Sequence, residues 1–199
     1  MTELEALNML LRLIGSSPVN SLATTHPDAA NAKATMLRIS RKAQRRGWWF
    51  NIDYNMTYEP NDQKEIILSK EISSVVFDNK AYVLRGTKVH NVVDRTTKFS
   101  TPITAIRQIR LVEWDEMPEV MQEYCAYYAA SEFVRDELED PQKQADLFRS
   151  AAGSLIEVKK QELEETEPNI FDKPRVAQAL RGIRPYGRVT TRFYGDPDK

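Results

Sequence analysis

The stretch Arg46-Gly47-Trp48-Trp49-Phe50-Asn51-Ile52-Asp53-Tyr54-Asn55-Met56-Thr57-Tyr58-Glu59 decides the fold. Trp48, Phe50, Ile52, Tyr54, Met56 and Tyr58 alternate with Trp49, Asn51, Asp53, Asn55, Thr57 and Glu59. Such period-two alternation places one set of side chains on one face of a half-buried strand, so a strand is predicted over residues 48–59. Gly47 stands where a left-handed residue ends a helix. The stretch therefore reads as a switch from helix to sheet.

Upstream lies a helix predicted over residues 27–46, with Thr25 or His26 as its cap and Pro27 in its first turn. Ala32, Met36, Ile39 and Ala43 form its apolar stripe; Lys33, Arg38, Arg41, Lys42, Arg45 and Arg46 load the remainder. An earlier helix carries Leu4, Leu7, Leu11 and Ile14 on one face, opened by a Thr2–Glu5 capping box and closed by Gly15. Downstream, short strands are predicted at 66–68, 74–77, 81–85, 89–93 and 104–112, with Asp78-Asn79-Lys80 and Gly86 as hairpin turns. A further helix, capped by Asp115, follows with Val120, Tyr124, Tyr127, Ser131, Val134 and Leu138 as a packing seam. Asp140-Pro141 then opens the last helix, with Phe148, Ala152, Leu155 and Val158 turned inward and close packing expected at Gly153. The predicted class is α+β: an antiparallel bundle of about four main helices, residues 1–47 and 113–167, with an inserted β-rich subdomain, 48–112, and an extended C-terminal arm, 168–199.

The 199 residues carry a net charge of −1, which argues against a dedicated nucleic-acid binder. The total conceals segregation. Residues 26–46 sum to +5 (six basic, one acidic) and residues 113–167 to −11 (five basic, sixteen acidic). Residues 168–199 sum to +4, residues 47–112 to +2 and residues 1–25 to −1. Two unlike surfaces of this kind suit contacts between copies or with partners. The candidate interface residues are therefore Lys33, Arg38, Arg41, Lys42, Arg45 and Arg46 on the basic helix, and Glu132, Asp136 and Glu157 on the acidic hairpin. The aromatic, basic arm adds Phe171, Arg181, Arg184, Tyr186, Arg188, Arg192, Phe193 and Tyr194.

Chemistry is sparse. Cys125 is the single cysteine, which excludes an intrachain disulfide. His26 and His90 stand in no motif, and no metal-ligand spacing or phosphate loop is present, so no metal, cofactor or catalytic residue is expected. Glu113, Asp115, Glu116 and Glu119 are the carboxylates a glycan-cleaving site could use, although acids at a helix start satisfy the dipole without catalysis. A second alternative is a DNA-binding regulator using the basic helix over residues 33–46. No apolar run approaches a membrane span, and Met1 to Glu5 lacks the basic cluster of a secretory leader; synthesis in the cytoplasm of the producing cell is expected.

The motifs Arg46-Gly47-Trp48-Trp49-Phe50-Asn51 and Ile109-Arg110-Leu111-Val112-Glu113-Trp114-Asp115-Glu116-Met117-Pro118-Glu119 resemble the tail tubular protein A family of short-tailed bacteriophages (podoviruses). Ile14-Gly15-Ser16-Ser17-Pro18-Val19 and the Ala/Asn-rich helix start at 27–34 match in the same order, so the resemblance runs over residues 4–168. It implies a structural virion protein, not an enzyme, at the head–tail junction of a virion assembled in a bacterial host. The implied role is a ring, twelve copies of the chain, between the portal protein and the tail nozzle protein (tail tubular protein B). That ring would act as connector and gatekeeper around the DNA exit channel, with double-stranded DNA passing without sequence readout and no membrane insertion.

Overall fold

Thr2 starts the first helix, α1 (Glu3–Leu13): its hydroxyl accepts the Glu5 N–H at 3.2 Å, and the Glu5 carboxylate accepts the Thr2 N–H at 2.8 Å. The Thr2 backbone N–H, and after it the Thr2 hydroxyl, stabilise the Glu5 carboxylate and hold its pKa below the ordinary value. Gly15, at φ +76°, ends the helix as expected. The structure, a computed structural model, describes residues 1–166. His26 stands at the cap position of α2 (Pro27–Gln44) without a side-chain bond, and Pro27 opens that helix. The strands are β1 (Ile52–Tyr58), β2 (Ile72–Phe77), β3 (Tyr82–Arg85), β4 (Lys88–Asn91) and β5 (Ile103–Arg110). The long helices α3 (Glu119–Leu138) and α4 (Pro141–Thr166) follow. The class is α+β.

β1, β5 and β2 form an antiparallel sheet in that order, and β3 pairs with β4 in a separate hairpin. Gly86, at φ +61°, turns that hairpin as predicted. Asp78-Asn79-Lys80 does not turn a hairpin: β2 pairs with β5, so the link carries the chain from one sheet to the other. Residues 66–68 make one isolated bridge, Ile67 to Lys88, instead of a strand.

The predicted strand over residues 48–59 begins only at Ile52, because its first four residues are a turn that joins helix to sheet. Gly47 takes φ +78° after α2. A Cβ there would lie 2.9 Å from Ile109 Cδ1 and 3.1 Å from Ile52 Cδ1. Only glycine meets both the conformation and the space. Trp48 is then buried among the helices, its indole N–H donating to the Ala43 carbonyl at 2.9 Å, and Arg46 lies 4.3 Å from its ring centroid. Asn51 closes the turn. Its Oδ1 accepts the Trp48 N–H at 2.8 Å, and its Nδ2 donates to the carbonyls of Gln44 at 3.1 Å and Arg110 at 2.8 Å. Gln44, also buried, grips the returning chain: Oε1 accepts the Val112 N–H at 2.7 Å and Nε2 donates to the Val112 carbonyl at 3.0 Å.

Two apolar cores result. One gathers Leu7, Leu10, Leu11, Met36, Ile39, Trp48, Met121 and Phe133. The other gathers Ile66, Phe77, Val89, Phe99, Ile103 and Ala105. Edge-to-face aromatic contacts run through the second, from Tyr58 to Phe77 to Tyr82 to Phe99.

The acidic helices differ from expectation in phase. Asp115 caps nothing; it lies in a 3-10 turn, Trp114–Glu116, and Pro118 holds the cap position of α3. The residue before a proline avoids the helical region, and Met117 is extended at ψ 145°. The buried rows of α3 are Met121, Cys125, Ala129 and Phe133, and Gln122, Ala126, Ala130 and Val134. Of the predicted seam, Ser131 and Val134 are buried as expected, whereas Val120, Tyr124 and Tyr127 are only half-buried and Leu138 is exposed. Alanines at successive turns let α1 and α2 approach closely, so small residues, not tyrosines, form the seam. Asp140 caps α4 as predicted, accepting the Gln142 and Lys143 N–H groups at 3.1 and 3.0 Å. Ala151 and Val158 are buried on it, whereas Phe148, Ala152 and Gly153 are exposed and a Cβ on Gly153 meets nothing. The C-terminal arm lies outside the described residues.

Gly47→Ala and Gly15→Ala separate conformation from space, since both positions have positive φ but only Gly47 is crowded. In urea denaturation Gly15→Ala should cost about 1 kcal/mol and Gly47→Ala at least twice that. Asn51→Ala, which strands several buried backbone groups, should cost about 3 kcal/mol. Equal costs for the two glycines would contradict this account of the junction.

Candidate subunit interface

A helix repeats its faces every third and fourth residue, so the basic residues of α2 fall into two rows. Arg38, Lys42 and Arg46 turn toward α3 and α4. Arg38 pairs with Glu132 at 3.7 Å and Asp136 at 4.0 Å. Lys42 donates to the Tyr128 hydroxyl at 2.6 Å. Arg46 pairs with Glu162 at 3.7 Å. Glu132 also holds Arg135 at 2.8 Å, and Arg135 bonds Asp136, so a four-membered charge network covers this side. The carboxylates of Asp136 and Glu132 raise the already high pKa of Arg135.

The second row, Arg41 and Arg45, makes no ion pair among the described residues. Both line a groove of about 930 Å³ with Leu37, Lys70, Glu71 and Glu113. Lys33 lies 4.0 Å from Glu3 of α1. Glu157 faces Lys160 of its own helix at 3.8 Å and does not meet α2.

The basic and acidic segments thus meet first within one chain: Arg38 and Arg46 are partnered there, as are Glu132 and Asp136. The expected face of Arg38, Arg41, Lys42 and Arg45 is divided, which removes the continuous phosphate-binding strip a DNA-binding regulator needs. Phe171, Arg181, Arg184, Tyr186, Arg188, Arg192, Phe193 and Tyr194 lie outside the described residues. Tyr128, which receives Lys42 and packs edge-to-face on Phe148, and Glu162, which receives Arg46, were not singled out from the sequence. Tyr128 stands one turn before Glu132, and that i, i+4 relation was the available signal.

Potentially reactive groups are occupied otherwise. Cys125 is fully buried in α3, and burial pushes its thiol from about 9 up to about 12. A nucleophile needs the thiolate, which this site disfavours. Glu119 meets the Met1 ammonium at 3.3 Å, and Glu113, Asp115 and Glu116 are exposed on the turn before α3. Among the described residues no cluster of three acidic, histidine or cysteine side chains could hold a metal, and no helix is long and apolar enough to cross a membrane.

The sequence profile of a family described as tail tubular protein matches residues 4–178. A curated relative, "Tail tubular protein A" of Klebsiella phage KP34, is 22% identical over 141 residues, which cover 69% of this chain and 74% of that protein.

Two outcomes test the geometry. Arg38 and Glu132 are partly exposed, so a double-mutant cycle with Arg38→Ala and Glu132→Ala should give a coupling below about 1 kcal/mol that fades in high salt. Cys125 acts at alkaline pH. Its folded pKa exceeds its unfolded one, so between about 9 and 12 the folded chain keeps a proton that the unfolded chain loses. Stability should therefore fall by up to ~1.4 kcal/mol per pH unit above pH 9 from this group, and Cys125→Ala should flatten that slope. An unchanged slope in Cys125→Ala would contradict the assignment.

Proposed function

The chain belongs to the tail tubular protein family and is a structural protein of a phage tail, not an enzyme; from that premise we propose that it forms the ring adaptor between portal and tail nozzle. Twelve copies surround the DNA exit channel and serve as connector and gatekeeper. The portal protein binds one side, the nozzle protein the other, and double-stranded DNA passes through without sequence readout. The helical parts, 1–47 and 113–167, and the inserted part, 48–112, serve as separate contact modules in this reading, and the arm, 168–199, clasps a neighbour or the portal.

The observation that carries the reading is the family match over nearly the whole chain. Physical features support it. A closed ring needs two different surfaces on each subunit, each complementary to the other. The junction built by Gln44 and Asn51 ties the sheet directly to the helices, which suits a rigid ring subunit. The regulator and glycan-cleaving readings give way to family membership.

Electron microscopy of the chain mixed with its portal and nozzle proteins should show rings with twelvefold symmetry. A chain that remains monomeric with both partners overturns the proposal.

A further inference from the structure

Among the described residues, Arg41 and Arg45 on α2, Lys70 and Arg107 make no ion pair, and two further such cations, Arg85 and Arg95, lie on the β3–β4 hairpin and the loop that follows it. The register places Val83 opposite His90 and Arg85 opposite Lys88. Side chains alternate along a strand, so Arg85 and His90 share the outer face, while Tyr82, Leu84 and Val89 pack on the sheet core. Lys88 is engaged by Glu65 at 2.8 Å. Arg85 and His90 make no ion pair or side-chain hydrogen bond among the described residues.

The loop after β4 brings a second free guanidinium to the same place. Asn91 Oδ1 accepts the Val93 and Asp94 N–H groups at 3.0 and 3.1 Å, and its Nδ2 donates to Asp94 at 2.7 Å. Backbone bonds between Asn91 and Thr96 close the loop at 2.9 and 3.2 Å. So held, Arg95 takes φ +54°, which a residue with a Cβ adopts only at a cost. Arg85, His90 and Arg95 then line one concavity of about 370 Å³ with Asn91 and Val92. Beside it the tip is apolar and open: Val92 is 41% and Val93 73% exposed.

The complementary feature lies at the corner between α3 and α4. Glu137, Leu138 and Glu139 are all exposed, and Leu138, at 41%, is flanked by the two carboxylates. Glu139 also holds a left-handed conformation, φ +52°, fixed by the turn into α4. Glu137 and Glu139 have no cationic partner among the described residues. Valines beside two arginines match a leucine between two glutamates in both charge and apolar character. Exposed valines beside the cations also favour a protein partner over a phosphate backbone, which needs no apolar contact.

We propose that the β3–β4 tip (Arg85, Arg95, Val93) docks on the α3–α4 corner (Glu137, Leu138, Glu139) of a second copy of this chain. The contact is heterologous, since the two patches differ, and it rests on the ring reading above. It replaces the contact between basic helix and acidic hairpin as the charged link between copies.

Charge reversal in two separate chains tests it. Arg85→Glu with Arg95→Glu in one chain, and Glu137→Arg with Glu139→Arg in another, should each lower ring assembly at least tenfold. An equimolar mixture should restore it, because every interface of an alternating ring is then paired. Urea midpoints like that of the unmodified chain show that the exposed substitutions leave folding intact. In a second arm, Val93→Cys and Leu138→Cys in one chain, treated with a short bifunctional maleimide, should give a ladder of linked copies that neither single variant gives; buried Cys125 stays silent. Variants that assemble normally and fail to cross-link overturn this contact while the ring stands. Normal assembly with loss of salt-sensitive DNA binding assigns the cations to phosphate and likewise overturns it. Failure of the unmodified chain to form rings overturns the ring reading and this contact together.

Discussion

The amides of Gln44 and Asn51 govern how the rest of the chain is arranged. A sheet inserted between helices has two crossing strands of backbone, one leaving and one returning, and each must satisfy its polar groups away from water. Asn51 ties the departing turn to the Arg110 carbonyl, and Gln44 binds both polar groups of Val112 on the way back. Departure and return are thereby fixed beside the end of α2. Gly47 makes this possible because its missing Cβ lets Ile52 and Ile109 close over the backbone. Were either amide replaced by an apolar group, buried carbonyls and N–H groups would be left unpaired, at about 1–3 kcal/mol each. The junction therefore places one core relative to the other more firmly than apolar packing alone, which is non-directional.

This junction also explains what was legible in the sequence. Helix boundaries with local chemistry were readable: the Thr2–Glu5 box, Gly15, Pro27, Gly47 and the Asp140-Pro141 start depend on neighbours only a few residues away. The motif 46–51 was visible as a signature, but its alternation suggested strand where the chain turns. Trp48 looks like the first inward residue of a strand; its actual partner, Ala43, belongs to the preceding helix. The phase of α3 was misread for a related reason. Large side chains dominate a periodicity argument, yet the close approach of α1 and α2 favours Ala126, Ala129 and Ala130 at the contact and leaves the tyrosines at its margin. Which apolar row is buried depends on partners that a single helix does not reveal.

Charge is segregated along the sequence, but a sum by segment does not show where each charge is used. Counting by segment treats every charge of a helix as pointing the same way. On α2 the i, i+4 rows diverge, one toward the acids of α3 and α4, the other into the groove beside Lys70. A sum of +5 therefore mixes charges neutralised within the chain with charges still available to a partner. The candidate interface was legible as chemistry and illegible as placement, because placement requires the tertiary contacts made by Glu132, Tyr128 and Glu162.

A subunit that must both fold and assemble divides its charges between two tasks. Pairs such as Arg38 with Glu132 are partly exposed and individually weak, so they align helices more than they stabilise them. A charge left unpaired on a rigid loop costs the free chain little while water solvates it, and becomes useful when a neighbour brings the opposite sign. Arg85 and Arg95 on the β3–β4 tip, and Glu137 and Glu139 at the far corner, fit that second class: exposed, unpartnered, and held on backbone whose conformation is already set by Asn91 and by the turn into α4. Little further ordering is needed when such groups meet a partner, and the entropy saved favours assembly over the free chain. In the proposed ring, near-neutrality overall is the expected sum, with acids and bases matched partly by the fold of one chain and partly by its neighbours.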